Sequence, residues 1–90
     1  AVTYLQSAEG AAGTVAEIGA MGRRSVALHC DLRDSAAVSA MIGEARSALG
    51  PIDLLVLSAG VFRRTPIEAA SEDDWDWLMD TNAKGAFLCA

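Results

Sequence analysis

Hydrophobic and polar positions alternate along the chain in blocks that change period. Ala1-Val2-Thr3-Tyr4 is β-branched and aromatic, gives way to Gln6-Ser7, and reads as the last part of a strand. From Ala8 to Met21 the apolar positions Ala8, Ala11, Ala12, Val15 and Ile18 recur at helical spacing, with Ser7 as N-cap and Gly22 as stop. Gly10, Gly13 and Gly19 lie inside this helix. Each costs up to about 1 kcal/mol relative to Ala, so packing rather than propensity has to hold the element. Ser25 to Cys30 predicts the next strand, followed by the polar turn Asp31-Leu32-Arg33-Asp34. Asp34 caps a helix from Ser35 to about Leu49, whose apolar face carries Val38, Met41, Ile42, Ala45 and Leu49. Gly50-Pro51 ends it.

Ile52 to Leu57 is the clearest strand signal, because the apolar run Leu54 to Leu57 suits a strand covered on both faces, as in a parallel sheet. Periodicity alone leaves a buried helix open for so short a run, but Gly50-Pro51 and Ser58-Ala59-Gly60 bound it as they would a strand. Val61 to Ala70 is a loop with a short helical stretch at Ile67-Glu68-Ala69. Ser71 then caps a helix whose first turn, Glu72-Asp73-Asp74, sets acidic charge at the positive end. Trp75, Leu78 and Met79 are expected on its inner face, with Trp77 pointing elsewhere. The order strand, helix, strand, helix, strand, helix, with helices of about a dozen residues, is that of right-handed parallel crossovers. The predicted class is α/β.

Composition narrows the field. In 90 residues a hydrophobic fraction of 52% supports one globular domain. The formal charge of -5 argues against nucleic acid or an anionic membrane as partner, while leaving a small phosphorylated ligand open. Cys30, Cys89 and the lone His29 have no metal-like spacing, so no metal site is expected and the thiols read as reduced and structural in a cytoplasmic protein. No apolar run approaches a membrane span.

Three signals fall in one register: Asp31 after the second strand, Ser58-Ala59-Gly60 at the end of the third, and Asn82-Ala83-Lys84-Gly85-Ala86-Phe87 after Asp74-Trp75-Asp76. Together they resemble the short-chain dehydrogenase/reductase family, from Val2 to Ala90. The resemblance implies a partial Rossmann-like doubly wound parallel sheet, a fragment of a three-layer αβα domain. It also implies an NAD(P)-dependent oxidoreductase that moves hydride between a nicotinamide and a carbonyl or alcohol carbon.

The resemblance gives residues their roles. Asp31 is expected to accept from the adenine amino group, with Leu32 supplying an amide and an apolar wall. Ser58, Ala59 and Gly60 match a strand end that lines the cofactor cleft, where small residues let backbone approach a flat ligand. Leu57-Ser58 stand where the family's pattern has two Asn. Asn82 matches the catalytic Asn, which holds a helix kink and a water that links the active-site Lys to solvent. The strand end Tyr4, Gln6 and Ser7 offers no carboxylate to a ribose, and Gln6 and Ser7 can donate to a 2'-phosphate, which favours NADP over NAD. Arg63 and Arg64 read as solvated charges, Lys84 as a surface or interface charge, and His29 as structural.

The family's first strand and Gly-rich turn are expected before Ala1, and its Ser and Tyr-x-x-x-Lys set after Ala90. Tyr4 is the only Tyr in the chain. Residues 1–90 thus read as the central part of a single NAD(P)-binding domain, inactive and poorly folded in isolation. The parent is expected to be a homo-oligomer, tetramer or dimer, with Trp77 and the Phe87 region as interface material. The alternative is a catalytically inactive nucleotide-binding or scaffold module of the same fold. A response-regulator-like domain would want an acidic pair upstream of Asp31, which the sequence does not supply.

Overall fold

The computed structural model describes residues 1–90, and they form a parallel strand pair flanked by helices. Strand β1 (Val2–Tyr4) pairs in parallel with β2 (Ala27–His29), Val2 opposite Ala27 and Tyr4 opposite His29. Both strands are shorter than the sequence pattern suggests. The pairing nonetheless runs on past their ends, through the Val2 amide to the Val26 carbonyl and the Cys30 amide to the Tyr4 carbonyl, each at 2.9 Å. Helix α1 (Ala8–Ala20) makes the crossover and packs on both strands. Its sole buried residue is Ala11, as a glycine-rich helix held by close approach requires. Ser7 makes no side-chain capping bond; its hydroxyl instead leans over Gly10, where a Cβ would stand 2.6 Å from Oγ.

Helix α2 (Ser35–Leu49) has the bounds its pattern predicts. Asp34 Oδ1 accepts from the Ala36 and Ala37 amides at 2.8 and 3.2 Å, and Gly50 ends the helix at φ 96°, a conformation that favours glycine. Its inner face supplies Val38, Met41 and Ala45, which join Leu28 and Cys30 in one buried cluster. Burying a side chain the size of Val, Leu or Met contributes about 1.5–3 kcal/mol, so this cluster is the main stabilising unit.

Ile52 to Leu57 does not form the predicted strand. No backbone hydrogen bond involves residues 51–60, and Leu54 and Val56 are 82% and 73% exposed. The reason is physical: a strand exists through its partner, and β1 has already spent one edge on β2. The other edge of β1 faces a slot of ≈ 570 Å³, floored by Met41, Ile42 and Ala45 of α2 and walled on its far side by Ile52 to Ala59. The shape reflects this opening. The radius of gyration is 15.1 Å, against about 12 Å for a compact domain of this length.

A single-turn 3-10 helix at Ile67–Ala69 lies within the predicted loop. Beyond it α3 (Glu72–Met79), a π turn at Asp80–Lys84 and α4 (Gly85–Cys89) run on as one helical rod. Ser71 starts it with a capping box in which Asp74 is the reciprocal partner. The rod docks through α4 on α2, with Leu88 and Cys89 against the buried cluster. The inner face of α3 differs from expectation: Trp75 is 65% exposed, whereas Trp77 is half-buried. The cause is Arg63, which reaches across from the loop and covers Trp77.

Candidate functional site

The site begins where β2 ends. Asp31 is fixed by a residue that sequence reasoning did not single out. Its Oδ1 accepts from the Arg33 amide at 3.0 Å and from Nε at 2.9 Å, and its Oδ2 accepts from Nη2 at 2.6 Å. These bonds to Arg33 hold the Asp31 carboxyl well below its ordinary range, at about 2, so it is an acceptor-only carboxylate at neutral pH. The Asp-x-Arg spacing was the available signal. Asp34, not Asp31, caps α2, which leaves Asp31 outside the helix's own hydrogen bonding.

Leu32 connects this turn to the rod. A Cβ on Gly85 would lie 2.9 Å from the Leu32 Cβ, 3.3 Å from the Leu32 carbonyl oxygen and 3.4 Å from that of Asp80. Gly85 is buried here because only a residue without a side chain lets helix and turn approach so closely. Its amide donates back to the Asp80 carbonyl, closing the π turn. Such a turn inserts an extra residue and rotates whatever follows, a device frequent at functional sites. Lys84 Nζ stands 3.6 Å from Asp80 Oδ1 on the exposed side of the same turn.

Asn82 projects from the middle of the π turn. Its Oδ1 accepts from the Val61 amide at 2.7 Å and its Nδ2 donates to the Val61 carbonyl at 2.8 Å. One N–H and one lone pair of the amide remain uncommitted. Gly60, just before Val61, would place a Cβ 3.3 Å from Asn82 Oδ1, so the small residue at the end of Ser58-Ala59-Gly60 also serves a close approach. Ser58 and Ala59 are exposed and border the slot. The rod therefore touches Leu32 at Gly85 and Val61 at Asn82, bringing two of the three sequence signals against the third.

Tyr4 ends β1 opposite His29, and Gln6 and Ser7 follow it before α1. The Tyr4 ring packs edge-on against His29 with centroids 5.5 Å apart, and Gln6 and Ser7 are exposed with no side-chain hydrogen bond to the protein. Cys30 and Cys89 are free thiols, and burial pushes that of Cys30 up, with Cys89 and Asp31 adding to the effect. Arg63 is solvent-exposed, as expected, but it is also paired: Nη1 donates to Asp74 Oδ1 at 2.7 Å, and the guanidinium lies 4.7 Å from the centre of the Trp77 ring. Arg64 is exposed and makes no comparable contact.

A model of the short chain dehydrogenase family matches residues 1–90. The chain belongs to the short-chain dehydrogenase/reductase family. It is 42% identical over 89 residues to the 3-oxoacyl-[acyl-carrier-protein] reductase FabG of Staphylococcus aureus, a match covering 99% of this chain and 36% of the reductase. A dehydrogenase/reductase from Sinorhizobium meliloti superposes with a TM-score of 0.92 at 39% identity, over 97% of this chain and 34% of that one. A short chain dehydrogenase from Burkholderia cenocepacia, solved in complex with NADP, also gives 0.92, at 36% identity, over 97% of this chain and 36% of its own. The chain spans about a third of the length of these relatives. As a member of the family it carries a partial Rossmann-like parallel sheet with flanking helices.

Proposed function

We propose that the protein carrying this chain is an NAD(P)-dependent oxidoreductase that moves hydride between a nicotinamide and a carbonyl or alcohol carbon. Residues 1–90 are the central part of its single NAD(P)-binding domain. The observation that carries the reading is the junction on the helical rod, where Gly85 seats the Asp31-Leu32 turn and Asn82 holds Val61 beside Gly60. Adenine-side and strand-end residues, far apart in sequence, converge there. The slot between β1 and Ile52 to Ala59 supports the same domain, since it has the lining that one more apolar strand would cover.

The residues fit a dinucleotide. Asp31 is ionised and part-exposed, an acceptor of the kind an adenine amino group needs, with Arg33 already donating to both of its oxygens. Half-buried Leu32 supplies an apolar wall, and Ser58, Ala59 and Gly60 leave room for backbone to approach a flat ring. The free side chains of Gln6 and Ser7, with no carboxylate in the stretch from Tyr4 to Ser7, favour NADP, the cofactor bound by the Burkholderia relative. When bound, the nicotinamide supplies the hydride. Asn82, with one N–H and one lone pair uncommitted, holds a water in the proton relay while its other two polar contacts fix the strand end.

No Tyr-x-x-x-Lys set lies within the 90 residues, so we read them as catalytically silent alone. Exposed Phe87 supplies apolar surface for a homo-oligomer, joined by exposed Trp75 in place of Trp77, which is half-buried under Arg63. The free thiols of Cys30 and Cys89 favour a cytoplasmic location; no helix is long and apolar enough to cross a membrane. A second reading, an inactive nucleotide-binding or scaffold module, is favoured by Leu57, which puts a half-exposed apolar side chain where the family pattern has Asn. The two separate in one assay on the whole protein, in which NADPH or NADH is mixed with a panel of ketones and aldehydes and its absorbance followed. Carbonyl-dependent oxidation supports the enzyme. Saturable cofactor binding with no turnover on any carbonyl supports the module.

A further inference from the structure

Two contacts secure the segment after Gly60 to the helical rod, and they flank a residue that contributes nothing to holding it. Val61 is gripped at both backbone polar atoms by Asn82, and Arg63 is gripped by Asp74 and Trp77. Phe62, between them, is 85% exposed. Asp74 and Trp77 are three apart on α3 and so share a face. Asp74 is already oriented when Arg63 meets it, because its Oδ2 accepts from the Ser71 amide at 3.2 Å and the Ser71 hydroxyl at 2.8 Å. Oδ1 is left to face the loop and takes Arg63 Nη1.

We infer that Arg63 is a positioning residue, which through Asp74 and Trp77 holds the segment after Gly60 so that the Val61 backbone meets the Asn82 amide. The inference rests on Asn82 acting in the cleft as proposed above. An exposed ion pair adds little stability, but here it is combined with ring stacking and a preset acceptor, and its effect is on register. The Asn82–Val61 pairing lies in an otherwise unbonded stretch: residues 51–65 make no backbone-to-backbone hydrogen bonds. Slack introduced at Arg63 is therefore free to reach Val61. Once Val61 drifts, Asn82 loses the partners that fix which end of its amide faces which way.

The test uses the whole protein with Arg63→Ala, Arg63→Lys and Asp74→Asn, with amide exchange measured at Val61 and steady-state kinetics alongside. Arg63→Ala should speed Val61 exchange roughly three- to tenfold and lower kcat by a similar factor. The KM for the cofactor should stay within about twofold, since the adenine contacts lie on the Asp31 turn. Arg63→Lys keeps a charge for Asp74 and loses the planar stack, so it should recover part of both effects. Unchanged Val61 exchange in Arg63→Ala overturns the inference. So does acceleration spread evenly over residues 72–89, or faster exchange at Val61 with kcat unaltered. Should Arg63→Ala fail to fold, Arg63→Lys and Asp74→Asn carry the same criteria. Exchange at Val61 needs no cofactor: a clamp seen there in a protein that transfers no hydride would remove the proposed function and leave the contact standing.

Discussion

Replacing Gly85 with Ala pits two opposite effects against each other. Within a helix, Ala is favoured over Gly by up to about 1 kcal/mol. At Gly85 the added Cβ would stand 2.9 Å from the Leu32 Cβ and 3.3 Å from the Leu32 carbonyl oxygen. Neither is the tip of a flexible side chain, so the backbone of the turn or of the π segment has to shift. Overpacking of this kind costs typically about 1–3 kcal/mol, and the net expectation is a loss of about 1–2 kcal/mol. Gly43 is the control: it lies within α2, and nothing stands within 4 Å of where its Cβ would be. Gly43→Ala should therefore gain up to about 1 kcal/mol. Urea unfolding of the whole protein measures both variants against wild type. The displaced Leu32 carries Asp31 with it, so Gly85→Ala should also weaken binding of the full dinucleotide more than of nicotinamide mononucleotide. A Gly85→Ala variant as stable as Gly43→Ala would mean that the turn does not press on the rod.

Two further outcomes follow from the same contacts. Asp31 has its carboxyl lowered from 3.8 to about 2, chiefly by its hydrogen bonds to Arg33. A lowered folded value stabilises above the unfolded value and is lost as pH falls through the folded one. Wild type should thus lose stability between pH 3.8 and about 2 more steeply than Arg33→Ala, and parallel acid-unfolding curves would contradict this. In the isolated 90-residue chain, the amides of Leu54, Leu55 and Val56 should exchange without protection while those of α2 retain some. Cooperative protection across Leu54 to Val56 would show that the segment has found a partner.

What the sequence disclosed, and what it withheld, divides along the range of the interaction. Helix α2 was legible to its ends because Asp34, the apolar stripe and Gly50 act within one element. The Ser71 start was legible for the same reason, its capping box being closed within four residues. Ile52 to Leu57 has the composition of a buried strand, but composition cannot supply the neighbour that turns a segment into one. The Trp75 and Trp77 assignment reversed because the deciding contact comes from Arg63, eleven residues before Asp74 and outside the helix's own period. Asp31, Gly60 and Asn82 could be picked out by pattern. What they touch emerged only with geometry, Arg33 for Asp31 and Val61 for Asn82, although Asp-x-Arg was a local clue. The π turn has no signature in the apolar spacing, since it serves contacts made to two other parts of the chain.

If these residues form the adenine side and the Gly60 end of a nicotinamide cofactor cleft, Asp31 is a contact that dinucleotides need and a mononucleotide does not. The whole protein is titrated with NADPH, NADH and nicotinamide mononucleotide, and the titrations are repeated on Asp31→Ala. Saturable dinucleotide binding is expected, tighter for NADPH, and Asp31→Ala should weaken it roughly tenfold through loss of a charge-assisted hydrogen bond, with mononucleotide binding unchanged. Failure to bind either dinucleotide, or an Asp31→Ala variant that binds both as wild type does, would contradict it.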